Sequence, residues 1–161
     1  MTNDPCSLSV LFRTTMEILL DNYCIDSYVW EQSDETDYCS LLIHKEYDSG
    51  FDILVTVSKN IIEITVPAEV MTARVIYRPS GSNTKVISQK ALKDIEDMLS
   101  SKVFIHEFIG TDGFINTQLI RSIAGRHEIL RGEGIPPPDN YKIAHEHRMN
   151  NYLRRGRPYS I

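Results

Sequence analysis

Histidine and glutamate occur together near the end of the chain, in a pattern that could bind a metal ion. His145 and His147 flank Glu146. On a strand, the two histidines would point the same way and could share a zinc ion with a third ligand. On a helix, side chains two residues apart diverge by about 200°. Because we expect a helix here and find no metal-binding motif, the sequence predicts surface histidines, with no metal and no cofactor.

A second group of reactive residue types lies on predicted strands. His106 and Glu107 are adjacent on one strand, so we expect one side chain inside the protein and the other in solvent. Cys39 could form a nucleophilic pair with His44 or His106 if their strands were neighbours. A strand cysteine between apolar residues is more often part of the core, however. The sequence therefore favours a protein that is not an enzyme.

The cysteine content also bears on the compartment. The chain contains three widely spaced cysteines, Cys6, Cys24 and Cys39. The odd number argues against a disulfide framework, and the wide spacing argues against a structural zinc site. The first residues lack the basic segment and apolar run of a secretory signal, and no apolar stretch is long enough to cross a bilayer. We expect reduced thiols, no membrane contact and a cytoplasmic location.

Formal charge divides the chain into two parts. Residues 1–120 contain 18 Asp and Glu against 9 Lys and Arg, a net charge of −9. Residues 121–161 contain 8 Lys and Arg against 4 Asp and Glu, a net charge of +4. This asymmetry predicts an acidic folded body followed by a basic arm that contacts an anionic partner.

The predicted partner-binding residues of the arm are arginines interleaved with tyrosines: Arg148, Tyr152, Arg154, Arg155, Arg157 and Tyr159. Arginine pairs with phosphate and tyrosine stacks on unpaired bases, so the arm could bind single-stranded nucleic acid. Alternatively, the arm docks on an acidic surface, either of its own body or of another protein. A pI near 5.5 favours this second interpretation, because nucleic-acid-binding domains are usually basic throughout.

An acidic turn completes the set of predicted binding residues. Asp34, Glu35 and Asp37 lie close together but lack the spacing of a calcium-binding loop. We interpret them as a solvated turn and as a surface on which a basic partner could bind.

Two helices are predicted from apolar spacing. Asp4 and Pro5 begin the first helix, which ends near Asn22 or Tyr23. Its predicted apolar face consists of Leu8, Leu11, Phe12, Thr15 and Leu19. Ser88 caps the second helix, predicted from Gln89 to Ser100, whose solvated side is expected to carry Lys90, Lys93, Asp94 and Asp97.

Alternating patterns predict the strands. Five precede the second helix, at residues 28–30, 38–46, 51–57, 61–66 and 70–77, and two follow it, at 103–109 and 114–120. An Asp-Gly turn joins the last two as a hairpin. The fold class is therefore α+β, with an antiparallel meander sheet of about seven strands and both helices on one face, in the order α-βββββ-α-ββ.

The C-terminal part is expected to differ from this body. A short helix broken at Gly125 is predicted over 120–130, and another helix over 141–153. Three consecutive prolines at 136–138 favour an extended spacer. We divide the chain into an acidic α+β domain, 1–130, and a Pro-containing hinge with a basic extended arm, 131–161.

These observations favour a non-catalytic protein–protein interaction module, similar in size and charge to inhibitors, immunity proteins or secretion chaperones. Its acidic body would carry a basic arm that docks on an acidic surface. A nucleic-acid-binding accessory protein, acting through the Arg/Tyr-rich arm, is the alternative.

Overall fold

A computed structural model of the protein describes residues 7–33, 36–45, 50–67, 72–78, 84–110, 115–132 and 142–147. These residues form two helices and nine strands. In chain order they are α1 (Leu8–Asn22), β1 (Tyr28–Ser33), β2 (Tyr38–Ile43), β3 (Ile53–Ser58), β4 (Ile61–Pro67), β5 (Thr72–Tyr77), α2 (Thr84–Leu99), β6 (Val103–Ile109), β7 (Ile115–Ile123), β8 (Arg126–Gly132) and β9 (Lys142–His147).

The strands form two antiparallel sheets, which confirms the predicted α+β class. The first sheet has the order β1-β2-β3-β4-β5, the predicted meander. The second has the order β8-β7-β6-β9. The described residues thus form nine strands in two sheets, rather than about seven in one. Helix α2 contacts strands of both sheets, and β5 contacts β7 and β8.

The beginning of α1 differs from its prediction. Ser7 is the N-cap, because its side chain accepts a hydrogen bond from the backbone N–H of Val10. Asp4 and Pro5 lie outside the described residues. The predicted apolar face is also rotated, since Leu11, Thr15 and Leu19 are only half-buried. The buried face consists of Leu8, Ser9, Phe12, Met16 and Leu20.

Helix α1 ends where its prediction placed the end, in a Schellman motif. Cys24 has a φ of 53°, in the left-handed region that usually favours glycine. Its N–H donates to Asp21 O, and the N–H of Ile25 donates to Leu20 O, both at 2.9 Å. Ile25 and Leu20 are buried, which supplies the apolar contact of this motif.

Helix α2 begins one turn earlier than predicted. Thr84 is its first residue, so Ser88 lies inside the helix, where it is buried and is not a cap. The predicted solvated side is wrong for Asp97, which is 5% exposed, and Asp94 is half-buried. Lys90 and Lys93 are exposed as expected. The second sheet, which the sequence did not reveal, covers this side of the helix near its C-terminal end.

Alternation in the first sheet defines the main core. In β3, Ile53, Val55 and Val57 are buried while the residues between them are half-buried. Ile62, Ile64 and Val66 of β4 continue the same inner face. One cluster joins these side chains to the buried faces of α1 and α2 and to Val103, Ile105 and Leu119 of the second sheet. A single core therefore connects both sheets and both helices.

Residues 120–130 form a hairpin, and the predicted short helix is wrong. Strand β7 continues to Ile123, and β8 begins at Arg126 and pairs with it. Ala124 and Gly125 form the turn, with φ values of 48° and 76°. Positive φ at both central residues is typical of a type I′ turn, which matches the twist of paired strands and excludes a continuing helix.

The predicted helix at 141–153 is also wrong over its described part. Residues Lys142–His147 form β9, which pairs antiparallel with β6 at the edge of the second sheet. A register shift lies opposite Glu107 and Phe108, so β9 contains an irregularity of the β-bulge type. Residues 148–153 lie outside the described part. The division of the chain into 1–130 and 131–161 stays a prediction. Strand β9, which lies in the second of these parts, pairs with β6 of the second sheet.

Candidate functional site

Of the nine predicted partner-binding residues, Asp37 lies in the described part of the chain. The other eight lie outside it: Asp34, Glu35, Arg148, Tyr152, Arg154, Arg155, Arg157 and Tyr159. Their role in partner binding stays a prediction.

Asp37 is half-buried and contacts the beginning of α1. Its Oδ1 accepts a hydrogen bond from the backbone N–H of Ser9 at 3.4 Å, and the hydroxyl of Ser9 donates to the same oxygen. The backbone N–H of Lys59 donates to Asp37 O at 2.9 Å. A carboxylate beside the first N–H groups of a helix stabilises them by hydrogen bonding and by favourable charge. Asp37 therefore stabilises the fold by joining β2, α1 and the β3–β4 turn.

His106 and Glu107 differ from expectation because both are buried, at 5% and 9% exposure. His106 Nε2 lies 2.6 Å from Oε2 of Glu146 on β9. His44 follows β2 in the first sheet, whereas His106 lies on β6 in the second, so their strands are not neighbours. The prediction that one member of the His106–Glu107 pair lies in solvent is wrong, because both faces of β6 are covered. Glu107 is on the face that carries the core residue Ile105, and His106 on the other face lies beside Glu146 and His127.

An aromatic cluster surrounds the imidazole of His106. The rings of Phe104 and Phe108 lie 4.8 and 5.7 Å away between centroids, and the ring of His127 lies at 6.3 Å. A carboxylate bonded to an imidazole orients the ring, as in many catalytic pairs. Among the described residues, no group of three or more His, Cys, Asp or Glu is placed to hold a metal ion. The observed geometry supports a structural contact between β6 and β9.

Cys39 is confirmed as a core residue. It is 1% exposed, and its Sγ lies 3.8 Å from the backbone oxygen of Ser9. Burial raises the pKa of the Cys39 thiol to about 11. Because the thiolate is the nucleophilic form, a raised pKa disfavours catalysis by this residue. Cys24, at the end of α1, is a free half-buried thiol.

Charged residues connect α2 to the second sheet. Arg121 of β7 forms an ion pair with Asp94, and its Nε lies 3.3 Å from Oδ2 of Asp97. Lys93 Nζ donates to Asp97 Oδ1 at 2.7 Å, which raises the pKa of Lys93. Burial raises the pKa of Asp94, although Arg121 opposes this effect. These charges are compensated within the fold, so we assign them to stability.

Two open concave surfaces lie among the described residues. One, of about 470 Å³, lies between β5 and α2, and it is lined by Tyr77, Val86, Gln89, Lys90, Lys93 and Asp94. The other, of about 500 Å³, lies at the β7–β8 hairpin, and it is lined by Ile123, Ala124, Arg126, His127 and Glu128. The first shares Lys93 and Asp94 with the ion-pair network, and a single hairpin forms the second.

The outer edge of β1 is regular backbone that could bind another chain. Within the described part, β1 pairs with β2 alone. Tyr28 and Val29 are exposed to 37% and 50%, and Glu31 and Gln32 are also exposed. An accessible sheet edge presents a row of N–H and C=O groups to which another strand can bind. The sequence predicted a strand at 28–30 but contained no local signal that it would be an edge.

Apolar side chains continue from this edge across the outer face of the first sheet. Val29 is opposite Leu42 on β2, and Leu42 is opposite Leu54 on β3. Leu42 and Leu54 are half-buried, on the side of their strands that faces away from the helices. The edge of β1 therefore combines backbone hydrogen-bonding groups with an adjacent apolar surface.

No known protein family, curated protein or solved structure matches this chain. Neither of the described helices has the length and apolar character needed to cross a membrane.

Proposed function

We propose that this protein is a non-catalytic protein–protein interaction module. The observation that carries the proposal is the outer edge of β1, where Tyr28 and Val29 expose apolar surface beside strand backbone that no other described strand pairs with. Exposed aliphatic side chains also lie on the second sheet, at Ile123, Ile129 and Ile143. Apolar groups grouped at sheet edges are typical of surfaces that bind other chains.

The burial of reactive groups supports this proposal. His106 and Cys39 are buried, the first bonded to Glu146 and the second with a raised pKa. Asp97 is buried beside Arg121 and Lys93. Each of these side chains has a structural contact that accounts for its position.

The basic arm would provide a second contact. Its arginines at 148, 154, 155 and 157 follow β9 and would dock on an acidic surface of the body or of a partner. The net charge of −9 over residues 1–120 makes the body one such surface. The free thiols of Cys24 and Cys39 support a reducing, cytoplasmic location for this interaction.

Copurification tests the proposed function directly. The full chain, tagged and expressed in its native cell, should retain one protein in stoichiometric amount, and that protein should bind again after both are purified. Removal of residues 148–161 should weaken this binding, more at low salt than at high salt, because charged contacts are screened. A chain that retains no protein in stoichiometric amount would overturn the proposal.

The alternative is a nucleic-acid-binding accessory protein that uses the same arm. The observation in its favour is the combination of four arginines with Tyr152 and Tyr159 directly after β9. A fluorescently labelled single-stranded oligonucleotide should then bind with an affinity that falls steeply with salt. Binding should disappear after removal of residues 148–161, and salt-insensitive binding would exclude the arm as the site.

A further inference from the structure

One hydrogen bond establishes which backbone groups of β1 face its open edge. The backbone N–H of His44 donates to Ser27 O at 2.9 Å, just before β1 begins. In an antiparallel pair, residues bonded to the neighbouring strand alternate with residues whose N–H and C=O point away. Val29 and Glu31 therefore bond to β2, since they lie two and four residues after Ser27. The N–H and C=O groups of Tyr28, Trp30 and Gln32 point outward.

We propose that this edge binds an extended segment of a partner protein, in which apolar residues alternate with lysine or arginine. This inference rests on the proposed function, and it defines the binding mode as addition of a strand to the first sheet. Three outward N–H groups and three outward C=O groups, from Tyr28, Trp30 and Gln32, provide the main-chain bonds. These groups span five of the six residues of β1, long enough to specify the register of a bound segment.

The side chains of β1 define what the partner segment must contain. On the outer face, the aliphatic stem of a lysine or arginine beside Val29 would cover the apolar row that Leu42 and Leu54 continue. Two residues along, the exposed carboxylate of Glu31 favours lysine or arginine. Successive side chains of the partner alternate between faces, so its intervening residues lie on the inner face, where Tyr28 and Trp30 favour apolar residues.

The surroundings of Trp30 bear on which partner residues fit the inner face of this edge. Its indole N–H is buried and finds no acceptor among the described residues. The guanidinium of Arg13 lies 5.2 Å from the centre of the indole ring, and Arg13 also bonds to Glu17 and Gln32. The guanidinium of Arg13 would repel a lysine or arginine of the partner on this inner face, so apolar partner residues are favoured there.

Charge distinguishes the proposed partner from a second copy of this chain. Glu31 lies just before the acidic residues 34, 35 and 37, and the region 1–120 has a net charge of −9. Two copies, each with a net charge of −5, repel one another, whereas a basic segment is attracted. The protein's own basic arm has a suitable charge, so the experiment must separate it from a partner.

The test uses a ten-residue peptide in which valine alternates with lysine, compared with a peptide in which valine alternates with glutamate. The intact protein should bind the lysine peptide at least about tenfold more tightly, measured by fluorescence anisotropy. Glu31→Lys should reverse this preference. Gln32→Pro removes an outward N–H, whereas Gln32→Ala removes the same side chain and keeps the N–H. The proline variant should bind at least about tenfold more weakly than the alanine variant.

Three outcomes would overturn the inference. The first is equal binding by Gln32→Pro and Gln32→Ala when both unfold at similar urea concentrations. The second is peptide binding that is seen only after removal of residues 148–161, which would assign the edge to the arm. The third is a concentration-dependent dimer that Gln32→Pro disrupts, which would assign the edge to a second copy.

Failure of this inference is separable from failure of the proposed function. If Gln32→Pro and Gln32→Ala retain the copurified partner equally well, the protein is an interaction module whose binding site lies elsewhere. If the unaltered chain retains no protein, the function fails whatever the peptides show.

Discussion

His106 Nε2 lies 2.6 Å from Glu146 Oε2, and the two residues are 40 positions apart in the chain. The imidazole is buried on β6, and the carboxylate belongs to the exposed edge strand β9. Their Cα atoms are directly opposite in the register of the two strands. This pair is a side-chain contact that holds the last described strand to the second sheet, next to the beginning of the basic arm.

Replacement of Glu146 should destabilise this attachment. Glu146→Ala leaves the buried ring nitrogen of His106 without this partner, and we expect a loss of about 1–3 kcal/mol in the free energy of unfolding. Glu146→Gln keeps an acceptor and should lose less. Urea denaturation measures the stability, and hydrogen exchange should show faster exchange in 142–147. Lys142→Ala, an exposed change on the same strand, should alter stability by no more than about 0.5 kcal/mol. Equal stability of the Glu146 and Lys142 variants would contradict this role.

Asp37 should contribute to stability through α1. Asp37→Ala removes the acceptor for Ser9 at the beginning of the helix, and we expect a loss of about 1 kcal/mol in the free energy of unfolding. Asp37→Asn retains a side-chain oxygen and should lose less than the alanine variant. Thr36→Ala, at an exposed neighbouring position, serves as the control. If Asp37→Ala unfolds at the same urea concentration as the unaltered protein, the capping role is wrong.

Cys39 should make the protein less stable in alkali. Its pKa is raised from 9.0 to about 11 by burial, so the folded state favours the neutral thiol while the unfolded state ionises first. The unfolded state therefore binds fewer protons between these values, and stability falls as pH rises from 9 to 11. The loss that Cys39 contributes by pH 11 should be about 2 kcal/mol.

Cys39→Ala provides the comparison for this measurement, because tyrosines and lysines titrate in the same range. The pH dependence of unfolding should be shallower in this variant than in the unaltered protein above pH 9. Identical slopes would show that Cys39 ionises equally in the folded and unfolded states.

Ala124 should tolerate replacement by asparagine with a gain in stability. Its φ of 48° lies in the left-handed region, and it is exposed at the first central position of the β7–β8 turn. Asn followed by Gly is the preferred sequence of a type I′ turn, so Ala124→Asn should stabilise the protein by roughly 0.5–1 kcal/mol. Ala124→Val should destabilise it, since a β-branched residue is strained at positive φ. Thermal or urea unfolding that ranks valine above asparagine would contradict this assignment.

The alternation of apolar and polar residues correctly predicted strands of the first sheet. The predicted strands of β2, β3 and β4 were confirmed, because Ile53, Val55 and Val57 face one core along a regular strand. Prediction failed at 120–130, where a glycine after Ala124 was interpreted as a break in a helix. The two residues form a turn instead. An apolar segment that contains one small flexible residue is compatible with either structure until its partner strand is known.

The position of β1 at the end of its sheet and the buried polar contacts could not be predicted in the same way. Whether β1 lies at an edge depends on which strands pair elsewhere, and the burial of both His106 and Glu107 depends on the partners of β6. The position of Asp97 depends on contact with Arg121, 24 residues later in the chain. Such contacts are stabilised by the packing of segments that are remote in sequence.

The sequence by itself determined the α+β class, the five-strand meander, the buried character of Cys39 and the division of charge between residues 1–120 and the remainder. These properties depend on residue type and on spacing along the chain, because the periods of strands and helices determine which residues share a face. Tertiary structure decided that the described chain has two sheets, that Glu146 contacts His106, and that β1 pairs with β2 alone among the described strands. These depend on which remote strands pair, and that choice minimises the free energy of the whole chain rather than of any local segment.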